Sequence, residues 1–150
     1  MIKINFNVDE PLWIKEMPLF KMNISKAAKS TLDTINNSKN DNLEVSFLLT
    51  SNSKIRLLNK RYRNKNKSTN VLAFPMNENN FGDNYMVGDV AISLQEILDE
   101  SKKLKIQKYK YLSKIVIHGV IHLLGYDHKT NEQYEEMNSI EQKVFKKIFS

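Results

Sequence analysis

The chain's three histidines, His118, His122 and His128, fall within eleven consecutive residues, HGVIHLLGYDH. His118 and His122 are four apart, so on a helix they project from one side a turn apart. Gly125 suits the end of that helix, and a turn there lets His128 come back to the same point. Two ligands from a helix and one from the loop after it make a three-nitrogen set. Three protein ligands leave a fourth tetrahedral position open, as in catalytic rather than structural zinc sites. Water at such a position is acidified to a pKa of about 7, so the chemistry to expect is hydrolytic. Packed core histidines are the alternative. Three of them bracketing a glycine, on a helix otherwise nearly free of polar groups, are hard to explain by packing. The chain has no cysteine, so a metal must use nitrogen and oxygen, and nitrogen donors favour Zn2+ over magnesium.

The spacing H-x-x-x-H-x-x-G-x-x-H coincides with the ligand positions of zinc metalloproteases. Gly119, however, stands where those enzymes carry their general-base glutamate. Peptide hydrolysis by that route is therefore disfavoured. Two acids have open readings: Asp127 either orients a ligand histidine or only shapes the turn with Gly125, and Asp89 either faces the site or ends a strand pair.

The elements that must position these residues can be read from periodicity. Ile2, Ile4, Phe6 and Val8 alternate with polar residues and predict a half-buried strand. Beyond Pro11 and Pro18, residues 24–35 show helical spacing, and 43–49 read as a second strand. Ser51 or Ser53 can cap a basic helix running to about Tyr62. A short strand over 71–74, stopped by Pro75, belongs near a sheet edge. The polar stretch 77–84 predicts a loop, and 87–92 another strand. Ser93 with Glu96 forms a capping-box pattern for a helix to about Leu104. From Lys108 to Leu124 scarcely any polar face remains, so this helix belongs in the middle of the domain. Thr130 and Gln133 form a second capping box, opening an amphipathic helix to about Phe149. The fold class is α+β: one domain over residues 1–150, with a small mixed sheet of about four strands and a buried central helix carrying His118 and His122.

Length, composition and charge narrow the function classes. With 150 residues, 41% hydrophobic and 27% charged, the chain fits one soluble globular domain. No apolar run reaches the roughly 18 residues that span a bilayer, and the N-terminus lacks a secretory signal pattern, so no membrane partner and a cytoplasmic location are expected. The net charge is +6. Residues 51–77 carry seven basic residues (Lys54, Arg56, Lys60, Arg61, Arg63, Lys65, Lys67) and no acid. Residues 101–126 carry six (Lys102, Lys103, Lys105, Lys108, Lys110, Lys114), again without an acid. One strongly positive face that attracts a polyanion is one reading; lysines that merely solvate two helices are the other.

These residues also point to a family. HGVIHLLGYDH resembles the H-G-x-x-H-L-x-G-Y-D-H hallmark of the bacterial rRNA maturation factor YbeY, a single-strand-specific endoribonuclease. Leu58-Asn59 with Tyr62-Arg63, then Ser68 to Pro75 (STNVLAFP), is similar to that family's L-N-x-x-Y-R and P-T-[DN]-V-L-S-F-P block. Gly88 to Ser93 (GDVAIS) resembles its G-D-[IV]-x-I-S strand. Ser68 departs from the usual proline and Ala73 from the usual serine. The resemblance implies a zincin-like fold and a zinc-dependent endoribonuclease. It implies a substrate of single-stranded RNA, notably an rRNA precursor at the small-subunit 3′ end, and a part in ribosome quality control. The small ribosomal subunit and its assembly factors are the implied partners. One Zn2+ per chain would be held by His118, His122 and His128, and Arg63 carries over as the basic-cleft catalytic arginine. A divalent metal and a guanidinium suit a phosphodiester transition state, which gathers negative charge; a phosphate-positioning or solvated arginine is the alternative for Arg63. Two other classes stay open: a non-catalytic ribosome assembly factor with a structural metal, and a metallohydrolase of another substrate.

Overall fold

A computed structural model of the chain describes residues 2–35, 42–76 and 85–149. The elements run β1 (Ile2–Val8), α1 (Leu12–Glu16), α2 (Phe20–Ile35), β2 (Leu43–Thr50), α3 (Asn52–Arg63), β3 (Val71–Pro75), β4 (Tyr85–Ser93), α4 (Leu94–Leu104), α5 (Lys108–Leu123) and α6 (Asn131–Phe149). The loop expected over 77–84 lies outside the described residues.

The sheet order is β1-β2-β4-β3, with β1, β2 and β4 parallel and β3 antiparallel to β4. Strand alternation sorts the side chains onto two faces. Val45, Phe47, Leu49, Ala73, Val90 and Ile92 join the main core, shared with helices α2, α4, α5 and α6. Leu72 and Ala91 face the other way and form a small second cluster with Ile55 of α3. The α5 helix, buried almost all round as its sequence predicts, therefore packs on one face of the sheet, and α3 on the other.

Ser51 is the cap of α3, accepting a hydrogen bond from the Lys54 amide. The box at the start of α6 forms in both directions, because Thr130 Oγ1 accepts from the Gln133 amide and Gln133 Oε1 accepts from the Thr130 amide. The expected box at α4 does not form. Ser93 donates instead to Asn52 Oδ1, and the Glu96 carboxylate accepts from the Ser68 hydroxyl at 2.9 Å. Tertiary partners have outbid the local cap at both positions. Sequence periodicity also starts α2 four residues late and omits α1, which is only five residues long.

Two glycines mark close approaches. Gly88 has φ +150°, and a Cβ there would lie 2.5 Å from the Phe74 carbonyl and 2.8 Å from Leu123. Gly119 brings α5 against the sheet: a Cβ there would stand 3.1–3.2 Å from Val90 and Val71. The position that carries a glutamate in metalloproteases is thus a packing contact in this helix. The start of β3 is tied to the helices as well. Glu100 of α4 accepts from both Tyr111 of α5 (2.7 Å) and Asn70 (3.0 Å). Among the described residues, no helix is long and apolar enough to cross a membrane.

Candidate metal centre

The last two turns of α5 carry His118 and His122, and the loop after Gly125 carries His128. Gly125 adopts φ +97° with open space around its Cα, a conformation that favours glycine and that turns the chain back past the helix end. One nitrogen from each of the three rings lies within 4.8 Å of the others. Among the described residues, this is the one group of three or more His, Cys, Asp or Glu side chains close enough to share an ion.

The hydrogen bonds around the rings decide which nitrogens are available. His118 Nδ1 lies 2.6 Å from Glu141 Oε1 of α6, so the carboxylate places the proton on Nδ1 and leaves a lone pair on Nε2. His122 bonds the Tyr126 backbone, and its Nε2 approaches His118 Nε2 to 3.2 Å. Two imidazole lone pairs facing at that distance repel unless a proton or cation lies between them. Two nitrogens on one tetrahedral zinc, at the usual 2.0–2.1 Å bond length, would sit roughly 3.4 Å apart. The donor set therefore fits a small, nitrogen-preferring divalent cation. Burial, and then the neighbouring His118 and His128, pull the His122 pKa below the ordinary histidine value. That keeps its ring neutral, the form that binds metal. His118 and Glu141 border a cavity of about 100 Å³ with His128, Tyr134, Met137 and Asn138.

Asp127 resolves toward the turn. Its Oδ1 accepts from the His128 amide at 2.7 Å, and that bond holds the carboxyl below the ordinary aspartate range. The carboxylate that braces a candidate ligand is Glu141, which the sequence reading missed. A signal for it exists: Glu141 lies on the same stripe of α6 as Met137, Ile140, Val144 and Phe145, which pack on the core. An acid on an apolar stripe needs a partner.

Arg63 ends α3, on the far face of the sheet from the histidines. The Ser93 amide bonds Asn70 O and the Met76 amide bonds Val87 O. In an antiparallel ladder this alternation turns the backbone of Val71 and Ala73 outward from the sheet edge. Arg63 Nη2 donates to that outward Ala73 carbonyl at 3.2 Å. The guanidinium and the histidines thus flank the same edge strand, with Val71 against α5 at Gly119 on the inner side. Asp89 does not turn toward the histidines. It lines a groove on the far face with Asn5, Ser46, Leu58, Tyr62 and Phe74, and burial there raises its carboxyl above the ordinary range.

The two basic segments separate in the same way. Residues 52–63 form α3 on one face, whereas Lys108, Lys110 and Lys114 belong to α5 on the other. One positive face is therefore corrected to two basic surfaces with the sheet between them.

Comparison with known proteins gives a consistent result. The model of the family described as endoribonuclease YbeY matches residues 14–149. A Bartonella quintana protein named endoribonuclease YbeY is 35% identical over 150 residues, covering 99% of this chain and 94% of its own. An Aquifex aeolicus protein of the same name is 35% identical, covering 90% and 88%. The solution structure of TM1509 from Thermotoga maritima has the same fold, with a TM-score of 0.52 at 22% identity, covering 98% of this chain and 91% of that one.

Proposed function

Because the chain belongs to the endoribonuclease YbeY family, we propose that it cleaves single-stranded RNA at a zinc ion held by His118, His122 and His128. The observation that carries this reading is the convergence of the three ring nitrogens within 4.8 Å, with His118 braced by Glu141. When bound, the ion supplies Lewis acidity toward a phosphoryl oxygen and toward water. The protein's own part is positional and electrostatic. Glu141 fixes the His118 ring and its tautomer, burial keeps His122 unprotonated, and the turn at Gly125 delivers His128. Arg63 stands across β3 with further guanidinium donors beyond the one on Ala73. There it can pair with a phosphate of a strand passing over the edge.

The substrate that the family resemblance favours is an rRNA precursor, with maturation of the small-subunit 3′ end, ribosome quality control, and contact with the small subunit as the setting. Gly119 supports a reading away from proteolysis, since its place is filled by contact with Val71 and Val90. The test is a cleavage assay with purified protein on single-stranded and fully duplexed RNA of one sequence. Cutting of the single strand alone is expected. Cutting of neither, or of a peptide instead, contradicts the reading.

A further inference from the structure

A groove of about 540 Å³ lies between α5 and α6, next to the small cavity at the histidines. Four lysines line it: Lys105, Lys110, Lys114 and Lys146. Its apolar lining includes Ile106, Ile117 and Phe145, all packed into or against the main core. Glu141 is the one acid on its walls, and that carboxylate is committed to His118. Glu141 and Asn138 border both this groove and the small cavity at His118 and His128, so the two adjoin at these residues.

The sequence of α5 explains the alignment. Lys110, Lys114, His118 and His122 follow one another at intervals of four. They form a slowly turning row whose members are about 6 Å apart along the helix axis. Cations therefore lead up to the candidate metal ligands in single file, at a spacing that suits successive phosphates of an extended strand. Lysines grip such a backbone without reading its sequence. Apolar and aromatic surface between them gives bases something to lie against.

We propose that the α5–α6 groove is the track for the substrate strand: single-stranded RNA reaches the histidines along Lys110, Lys114 and Lys146, with its bases toward the partly exposed Ile106 and Phe145. This rests on the reading above that RNA is the substrate, and it adds where the strand lies. Charge complementarity selects the occupant, since a polyanion answers a wall of four lysines and a protein partner would have to be strongly acidic there.

The test compares the zinc-loaded full chain with two triple variants of equal charge. One carries Lys110→Gln, Lys114→Gln and Lys146→Gln. The other carries Lys3→Gln, Lys15→Gln and Lys29→Gln, exposed lysines outside the groove. The probe is a fluorescent single-stranded oligouridylate of about 12 nucleotides, read by anisotropy at several salt concentrations before cleavage proceeds. The groove variant should bind roughly tenfold or more weakly, and its slope of log affinity against log salt should fall by about 2, for three lost phosphate contacts. Equal affinity and slope in the two variants would overturn the groove. A 4-thiouridine in the probe should crosslink to α5 or α6, and crosslinks confined to the α3 face would overturn it independently. Cleavage of the same RNA by the unsubstituted chain is followed in parallel. Cleavage without a groove effect overturns the track alone, a groove effect without cleavage overturns the proposed reaction alone, and no binding at all overturns both.

Discussion

Glu141 stands 23 residues beyond the histidine it braces, on a different helix, with 2.6 Å between carboxylate and ring. A carboxylate in that position does for an imidazole what no ligand spacing can: it fixes the tautomer and the ring's direction. Replacement by Gln keeps the size and removes the charge. For Glu141→Gln, zinc affinity measured by competition with a chromophoric chelator should fall about 10- to 100-fold, with folding little changed. Asp127→Asn should not produce that loss, because the Asp127 carboxylate bonds the His128 backbone amide instead of a ring. The three candidate ligands were legible in the sequence because they are neighbours in it and because Gly125 announces the turn. Glu141 was not, since its meaning depends on how α6 lies against α5. The acid on the Met137–Val144 stripe was the available clue. Arg63 was legible as a basic residue before a strand, but not as a side chain that reaches the outward carbonyl of Ala73.

At the scale of elements, the centre depends on β3 and α5 keeping their relation. Gly119 sets how close they come, and Glu100 holds the approach to β3 through Asn70 while also accepting from Tyr111 of α5. Burial and the Glu100 carboxylate raise the Tyr111 hydroxyl well above its ordinary pKa, so it stays a proton donor in that bond. Glu100→Ala leaves two partly buried donors without an acceptor. It should cost about 1–3 kcal/mol in urea denaturation, and a cost near zero would mean that solvent replaces the carboxylate freely. Ser68 belongs to the same tether, since its hydroxyl bonds Glu96 where the family's usual residue is proline. Strands and long helices were legible from alternation and periodicity, and the buried α5 from its lack of a polar face. The false capping box at Ser93 and Glu96 shows what local pattern cannot see: both side chains had better offers from Asn52 and Ser68. For α1, a five-residue helix is too short to display a period.

For the whole molecule, the sheet separates two basic surfaces. One is α3 with Arg63 at the sheet edge, and the other is the α5–α6 groove, which shares Asn138 and Glu141 with the cavity at His118 and His128. Charge counted along the chain could find both acid-free segments but not assign them to faces, because that depends on the β3 and β4 crossovers. The α+β class, the four-strand mixed sheet and the central helix all stand as the sequence predicted. The scales meet in the proposal that His118, His122 and His128 hold one divalent ion on which RNA cleavage depends. The most direct measurement takes the purified chain and His118→Ala, and determines metal content by elemental analysis alongside single-stranded RNA cleavage. Both should be followed before chelation, after it, and after zinc is restored. About one zinc per unsubstituted chain is expected, with cleavage lost on chelation and regained with zinc, and neither zinc nor cleavage in a folded His118→Ala protein. Full cleavage by His118→Ala without bound metal would contradict the proposal.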